Sequence, residues 1–470
     1  MNKPVIIILG AGPAGIGAAF QLARRSMAQV TVLEQDNAVG GIAGSFDLSG
    51  FRVDYGSHRL HPACPMDVLS DIRALLGDDL LNQPRHGRIR LRGRWIHFPL
   101  KIFDLILRLP PSFSIGVVKD IVAKGLGRNL NSAHPESFAS TLEKGLGRTI
   151  CRDFYFPYTR KIWGVPPEEL SGMQAKRRVS ANSLARIVRK IFSGTQGRGH
   201  FFYPRNGFGQ ISEAYAQAAH NAGAEIHLNS RVHSVEISKN GDKIVHYENG
   251  GKILSVRASS VWSTIPVTDL IKGLRPVAPP DILHAAEKIS YRGMILIYLL
   301  LGQGRFSEYD AYYFPEMDIP VSRLSEPKIY NDGQGPHHLT VLCAELPCSP
   351  DEADWDKTDE ELGNLVGHSL EKAGIPIKAP IMRIVTRRLH HAYPVYRKGY
   401  EVDFQKLDDW LSQIDGLLTF GRQALFVHDN IHHALFMGYC AADCLDKNGF
   451  FDRRRWNVFR RGFETHVVED

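Results

Sequence analysis

The sequence has few cysteines, and their spacing does not suggest a disulfide framework or a metal centre. Its six cysteines are scattered over 470 residues without a Cys-x-x-Cys pair, and no HExxH segment is present. Scattered thiols in a chain of this length are typical of a reduced cytoplasmic protein. We therefore expect a cytoplasmic location and no metal site.

Long apolar runs are lacking as well. The longest, such as Met294–Leu301, are far shorter than the ~20 residues that a membrane-spanning helix needs. A dinucleotide-binding motif begins almost at the first residue, so we expect no signal peptide. No internal repeat or low-complexity segment is present. We expect a soluble protein, and leave open a peripheral contact with the inner face of a membrane.

The charge balance is mildly basic. Lys and Arg number 57 and Asp and Glu number 50, which gives a net charge of +7. Basic–aromatic modules and zinc-finger spacings are missing, so we expect no nucleic-acid partner. An ordinary solvated surface accounts for most of the excess, which also suits an anionic substrate such as a sugar nucleotide. The basic tail at 453–461 and the apolar stretch 105–118 would be the parts to contact an anionic membrane.

The amino-terminal segment carries the most informative motif. The apolar strand Val5–Leu9 leads into a glycine-rich turn and an amphipathic helix, with Gly10, Gly12 and Gly15 in the spacing of a dinucleotide-binding fold. These glycines permit a tight turn, close approach of a pyrophosphate, and close packing of helix on strand. A second apolar strand ends in Glu34, where a ribose-binding carboxylate belongs. This combination predicts a bound dinucleotide.

A second glycine pair indicates which dinucleotide is bound. Gly40 and Gly41 follow Glu34 closely and allow a positive φ and close ligand approach. The segment around them resembles the second glycine motif of FAD-dependent oxidoreductases of the amine oxidase and protoporphyrinogen oxidase type. The resemblance implies that the cofactor is FAD.

Further segments resemble the UDP-galactopyranose mutases within that superfamily. Residues 55–61 are similar to the mutases' Tyr-Gly-x-His-x-x-His segment beside the flavin ring, and 158–164 to their Tyr-Thr-x-Lys-x-Trp-Gly stretch. Residues 319–323, 392–395 and 420–422 match three later segments. The matches occur in order from residue 5 to about 445, so the resemblance covers nearly the whole chain.

The resemblance and the glycine motifs together imply a set of site residues. We expect cofactor contacts from the following residues: Gly10, Gly12, Ala14, Gly15, Glu34, Gly40, Gly41, His58, Val232, Gly421, Arg422 and Asp429. We expect substrate contacts from the following: His61, Tyr158, Trp163, Arg177, Arg323, Tyr393 and Arg397. Catalytic roles are expected for His58, Arg323 and Trp163, with Arg323 binding the diphosphate because its planar fork suits phosphate oxygens.

Ordinary structural roles compete with several of these assignments. His58 and His61 could be structural histidines, Trp163 a core aromatic, and Arg323 a surface residue paired with Glu326. The chain also departs from the mutases, because Arg397 stands where they carry an acidic residue. A more cationic pocket at that point would imply a different nucleotide, a more acidic sugar or a different reaction.

The order of patterns along the chain predicts an α/β protein of two domains. We expect a Rossmann-type FAD-binding domain with a parallel sheet, formed discontinuously by residues 1–85, 201–270 and 395–448. Residues 86–200 and 271–394 would form a substrate domain of mixed sheet and helices, with a β-hairpin around Gly93. Residues 449–470 are expected to be a basic tail.

The leading function is a mutase-like pyranose–furanose isomerisation of a nucleotide-activated sugar. In that reaction N5 of reduced flavin is the nucleophile, as the resemblance implies. The alternative is an FAD-dependent oxidoreductase that oxidises an amine, a hydroxyl or an unsaturated substrate. A non-catalytic flavin-binding scaffold is the second alternative, and a homodimer is left open.

Overall fold

The structure is a computed structural model, and it describes residues 3–99, 104, 107–125, 137–173, 175, 199–238 and 241–468. Arg177, one of the expected substrate residues, lies outside the described residues. The same holds for the whole segment 176–198, which includes the end of the helical patterns that the sequence predicts as far as Arg189.

The strands of the described residues are as follows: β1 Val5–Leu9, β2 Gln29–Leu33, β3 Ser45–Leu48, β4 Phe51–Asp54, β5 Leu80–Pro84, β6 Gly87–Leu91, β7 Arg94–Phe98, β8 His200–Pro204, β9 Glu225–His227, β10 Ser230–Ile237, β11 Lys243–Asn249, β12 Lys252–Ala258, β13 Ser260–Ser263, β14 Leu274–Arg275, β15 Ser290–Leu301, β16 Ala311–Tyr313, β17 Arg323–Ser325, β18 Thr340–Pro347, β19 Ile381–Val395 and β20 Leu417–Thr419.

The α-helices of the described residues are as follows: α1 Pro13–Arg24, α2 Met66–Leu76, α3 Pro111–Gly125, α4 Phe138–Leu146, α5 Arg148–Ile150, α6 Phe156–Trp163, α7 Gln210–Asn221, α8 Val267–Gly273, α9 Pro280–Lys288, α10 Pro327–Tyr330, α11 Asp359–Lys372, α12 Tyr400–Ser412, α13 Ile431–Asp443 and α14 Arg453–Phe463. Short 3₁₀ turns occur at Gly41–Ala43 and Gly77–Asp79, and a π-helical turn at Cys151–Tyr155 precedes α6. None of the described helices is long and apolar enough to cross a bilayer.

A parallel five-stranded sheet forms the nucleotide-binding half, in the order β20-β13-β1-β2-β9. Its central strand β1 is fully apolar and buried, as expected for a parallel strand covered on both faces. Helices α1, α7 and α13 pack on one another beside this sheet. The predicted α/β fold with a parallel sheet is confirmed, and the strands come from all three predicted segments.

The other half is built on a seven-stranded sheet, in the order β19-β15-β18-β17-β16-β6-β7. The predicted hairpin around Gly93 is confirmed as β6 and β7, which extend this sheet at one edge. Helix α11 covers one part of the sheet through a core that includes Leu362 and Val366. Helices α3–α6 cover another part of the same sheet, where Phe113 of α3 packs with Tyr313 of β16.

The carboxy-terminal region differs from the expected solvated tail. Residues 453–463 form helix α14, in which Trp456 and Phe463 are buried in the core of the nucleotide-binding half. Three arginines at 453–455 precede Trp456 and two at 460–461 lie between the two anchors, and Arg460 pairs with Asp408 at 2.9 Å. The prediction of a basic tail considered only the charges of this segment, and it did not take account of Trp456 and Phe463, which anchor the helix.

Candidate functional site

The first glycine turn leaves space above the start of helix α1. A Cβ on Gly15 would lie 2.1 Å from the carbonyl oxygen of Gly10, so close packing requires glycine there. A Cβ on Gly12 would meet no atom within 4 Å, and Gly12 lines a large cavity. The turn therefore separates two functions: Gly15 allows the fold to close, and Gly12 leaves room for a ligand at the helix N-terminus.

Glu34 lies at the end of β2 in a position that the fold itself fixes. Its carboxylate accepts hydrogen bonds from the backbone N–H of Ala11 at 2.7 Å and of Asp36 at 3.0 Å. Burial raises the pKa of Glu34, although these two backbone bonds act in the opposite direction. A buried carboxylate beside a glycine turn is suited to accept hydrogen bonds from the hydroxyls of a ribose.

The second glycine turn lies against the first. Gly40 has a φ of +109°, and its backbone N–H donates to the carbonyl of Ala11 at 2.9 Å. A Cβ on Gly41 would be 3.5 Å from the Cα of Gly12, so the two turns approach closely. Gly41 lines the cavity, whereas Gly40 and Gly15 belong to the turns without lining it.

The residues that follow the last strand, β20, form the rim of the cavity opposite the second glycine turn. Gly421 has a φ of +90°, and a Cβ there would lie 2.8 Å from the Cβ of Ala14. The guanidinium of Arg422 donates to the carbonyls of Ala392 at 2.6 Å and Asp429 at 3.0 Å, which ties β19 to the loop before α13. Ala14, Gly421, Arg422 and Asp429 all line the cavity, together with Val232 from β10.

The cavity between the two halves has a volume of about 1030 Å³. That volume is at the upper end of the range for ligand sites in proteins, as a dinucleotide and a substrate together require. The side opposite the glycine turns is formed by the seven-stranded sheet and helix α6. We call this side the substrate wall, and its polar residues include Tyr158, Tyr313, Arg323, Glu345, Arg387, Arg388 and Tyr393.

His58 lies in the cavity just after the turn that ends β4. Its Nε2 is 2.9 Å from the carbonyl oxygen of Tyr55, which makes Nε2 the protonated nitrogen, and its ring stacks on Phe208. Beneath it the buried carboxylate of Asp54 accepts hydrogen bonds from Ser45, Tyr203 and the backbone of Phe208. Burial lowers the pKa of His58, so the imidazole is neutral near pH 7.

Arg323 and Glu345 form a buried pair on the substrate wall. They stand directly opposite each other on β17 and β18, and Glu345 Oε1 accepts from Arg323 Nε at 2.9 Å and Nη2 at 2.7 Å. The same oxygen accepts from the backbone N–H of Ser57 at 2.8 Å. The alternative reading of Arg323 as a surface residue paired with Glu326 is wrong, because Glu326 instead accepts from Thr340 and the backbone of Phe306 and Ser307.

Arg387 supplies a further cation to the substrate wall, next to Arg388 on the same strand. It is exposed to the cavity from β19, its guanidinium lies over the ring of Phe46 at 4.7 Å, and Nη1 donates to the carbonyl of Thr386. No carboxylate within the described ranges forms an ion pair with it. Arg387 thus offers positive charge to a ligand, whereas the charge of Arg323 is largely balanced by Glu345.

Three expected substrate residues lie away from the cavity as the described residues define it. Trp163 is 2% exposed and packs edge-on against Phe138 in the helical core. Arg397 pairs with Glu169 at 3.2 Å on the surface, so the expected extra cation does not reach the cavity. His61 Nδ1 accepts from the backbone N–H of Ala63 outside the cavity wall.

Sequence reasoning missed Glu345 and Arg387. Glu345 is a lone carboxylate in the apolar strand Thr340–Pro347, a pattern that signals a buried partner but does not identify it. Arg387 belongs to the run Arg387-Arg388-Leu389-His390-His391, a polar stretch of β19 whose first two residues pair with Leu296 and Ile295 of β15. Such a run indicates that this part of the sheet is exposed to solvent.

Asp429, His433 and His466 lie together at the rim near α13. Asp429 Oδ2 is 3.2 Å from His466 Nδ1, and its Oδ1 is 3.7 Å from His433 Nδ1. The rings of His433 and His466 stack at 4.1 Å with an interplanar angle of 14°. Since imidazole lone pairs lie in the ring plane, two parallel stacked rings cannot direct both to one ion, so we interpret the cluster as hydrogen bonding.

Comparisons with known proteins agree with this geometry. The family model described as flavin containing amine oxidoreductase matches residues 13–409. The chain is 22% identical to protoporphyrinogen oxidase 1, chloroplastic, of Spinacia oleracea, over 92% of this chain and 81% of that protein. It is 21% identical to phytoene dehydrogenase of Streptomyces griseus, over 79% of each. A solved structure of reduced UDP-galactopyranose mutase has a TM-score of 0.78 at 21% identity and covers 94% of both chains.

Proposed function

The chain belongs to the family of flavin-containing amine oxidoreductases, and we propose that its substrate is a nucleotide-diphosphate sugar whose ring it isomerises. The family and its enzyme relatives make the protein a flavoenzyme with FAD as cofactor. The residues present fit that cofactor, because the space above Gly12 and the carboxylate of Glu34 match a pyrophosphate and a ribose.

The protein's own part in cofactor binding follows from the turns. The backbone N–H groups at the start of α1 would bind the pyrophosphate, and Glu34 would orient the ribose. His58 borders the place where the ring would lie, and being neutral it adds no charge there. In its reduced form, bound FAD would supply a nitrogen nucleophile for the anomeric carbon of the sugar.

The charge of the substrate wall is the observation that carries the proposal. Arg387 presents a guanidinium to the cavity, and the tyrosines Tyr158, Tyr313 and Tyr393 line the same side. A guanidinium and phenolic hydroxyls are donors suited to the oxygens of a diphosphate. A diphosphate leaving group gains negative charge as its bond to the sugar breaks, so a fixed cation beside it favours the reaction.

The same wall disfavours a cationic amine as substrate. Recognition of an ammonium group by charge calls for an unpaired carboxylate. The carboxylate of Glu345 already accepts three hydrogen bonds, two of them from the cation Arg323. An ammonium in this cavity would also meet the charge of Arg387, and like charges at close range are mutually unfavourable.

Oxidation of an unsaturated or hydroxylated substrate is the second candidate. Two relatives that match most of this chain are named as a protoporphyrinogen oxidase and a phytoene dehydrogenase, whose names denote oxidation. The substrate wall also carries the apolar residues Met294, Leu296 and Leu389. These contacts would suit an apolar substrate, whereas Arg387 would then lack a partner.

One experiment separates the two reactions. Holoprotein, either oxidised or reduced anaerobically with dithionite, is incubated with a panel of nucleotide sugars while the flavin spectrum and the product mass are recorded. We expect turnover with reduced flavin alone and a product of unchanged mass. Bleaching of oxidised flavin by substrate, with oxygen uptake on reoxidation, would instead establish the oxidative reaction.

A further inference from the structure

Helix α3 carries apolar side chains on its outer face as well as on its inner face. Phe113 and Val117 point inwards and join the core beneath the helix. Ile115, Val118 and Val122 recur at a spacing of three and four residues, and each is more than half exposed (53–57%). Surface helices of soluble domains usually present polar residues there, so this outer stripe calls for a partner.

The stripe extends beyond the helix and forms a continuous patch. At about 100° per residue the three side chains fall within roughly 60° of the helix circumference. Ile121 on the flank of the helix is 41% exposed, and Leu107 in the turn before it is 74% exposed. We call these five residues the α3 patch; no other part of the described chain covers them.

Basic side chains surround the α3 patch, and two of them, Arg108 and Arg148, pair with Asp104 and Glu143. Lys119 stands beside Ile115 and Val122 on the helix, and Arg94, Arg108 and Arg148 are exposed on the neighbouring segments. The nearby acids point inwards and are engaged: Asp120 accepts from the backbone of Thr149, and Asp104 accepts from His97 and Arg108. The rim of the patch is therefore positively charged.

We propose that the α3 patch docks the protein onto the surface of an anionic phospholipid bilayer. Aliphatic side chains at the centre with lysine and arginine at the rim match the acyl–headgroup boundary and its phosphates. A second copy of this chain is a poorer partner, because two such rims would bring like charges together around the contact. The proposal does not depend on which reaction the flavin carries out.

Docking through the α3 patch would bring the substrate wall towards the membrane. The inner residues of α3 share one core with Tyr313 and Tyr158, both of which line the cavity. The patch and the substrate wall are thus opposite faces of the same packed layer. A membrane-docked protein would hold this side of its cavity near the lipid headgroups.

The test is flotation of the full-length holoprotein with phospholipid vesicles. One vesicle set contains phosphatidylglycerol in phosphatidylcholine and the other contains phosphatidylcholine alone, each at low and high salt. The wild type should float with the anionic vesicles at low salt, and high salt should weaken this binding. A triple variant, Ile115→Gln, Val118→Gln and Val122→Gln, should bind about tenfold or more weakly.

Val402→Gln on α12 is the matched control, since Val402 is 62% exposed on another helix and lies outside the patch. Its vesicle binding should equal that of the wild type, and flavin absorbance and melting temperature confirm that every variant is folded. Failure of the wild type to bind anionic vesicles at low salt would overturn the proposal. So would equal binding by the triple variant, or a wild-type dimer that the triple variant dissociates.

Discussion

The two roles of the first glycine turn can be separated by substituting Gly12 and Gly15 one at a time. Gly12 has a φ of −68° and a ψ of 174°, values that alanine adopts readily, and its Cβ would point into open cavity. Gly12→Ala should therefore leave the stability of the FAD-free protein within about 0.5 kcal/mol of the wild type, or raise it slightly. The added methyl group would occupy space that the pyrophosphate needs.

Gly15→Ala should act on the fold itself. The new Cβ would be 2.1 Å from the carbonyl oxygen of Gly10, and relieving that contact must move the β1–α1 turn. Overpacking of this kind costs about 1–3 kcal/mol, against a gain of about 1 kcal/mol from the better helix propensity of alanine. We expect a net loss of stability in the FAD-free protein.

Two measurements check this contrast: thermal unfolding of the FAD-free variants and fluorescence titration with FAD. Gly12→Ala should weaken FAD binding about tenfold or more, equivalent to about 1.4 kcal/mol, with an unchanged melting temperature. Gly15→Ala should lower the melting temperature before FAD is added. Wild-type FAD affinity in Gly12→Ala would refute the placement of the pyrophosphate at this turn.

Three further predictions concern buried polar groups. Glu345→Gln should lower the free energy of unfolding by at most about 3–5 kcal/mol, because it removes the counter-charge of Arg323, whose side chain is only 17% exposed. In denaturation measurements, the double variant with Arg323→Gln should lose less free energy of unfolding than the two single variants together. Lys161 Nζ donates to the carbonyls of residues 314, 316 and 321, so Lys161→Met should raise proteolytic cleavage of the 314–321 loop; an unchanged digestion pattern would contradict this. Burial lowers the pKa of His432 to about 4, so the unfolded chain binds more protons between pH 4 and 6.5 and stability rises with pH there, by at most about 1.4 kcal/mol per pH unit. His432→Asn should reduce the rise of the melting temperature between pH 5 and 7 without abolishing it, since burial also lowers the pKa of His433, whereas His284→Asn at an exposed site should leave that rise unchanged.

The nucleotide-binding half was predictable because its signals are local. The glycines of residues 10–15, the strand before them and Glu34 lie within one strand–helix–strand unit, and each glycine has one steric reason for its position. The hairpin at Gly93 follows likewise from a short-range pattern. Turn geometry and apolar runs need no knowledge of distant partners.

The substrate wall was less predictable because its contacts are made between strands far apart in the chain. Arg323 was identified, but its partner Glu345 lies 22 residues away on the next strand of the sheet. Trp163 and Arg397 stand in segments that resemble a substrate site, yet packing against Phe138 and pairing with Glu169 depend on tertiary structure. A motif predicts that a segment lies near the site, but the orientation of each of its side chains depends on the tertiary structure.

The central claim is that the substrate wall binds a diphosphate beside the flavin through Arg387. Calorimetric titration of the holoprotein with UDP tests it directly, using Arg387→Gln and the matched variant Arg383→Gln, an exposed residue of the same strand outside the cavity wall. We predict that UDP binds the wild type and Arg383→Gln alike, and binds Arg387→Gln about tenfold or more weakly. Absence of UDP binding, or equal affinity in Arg387→Gln, would contradict the account.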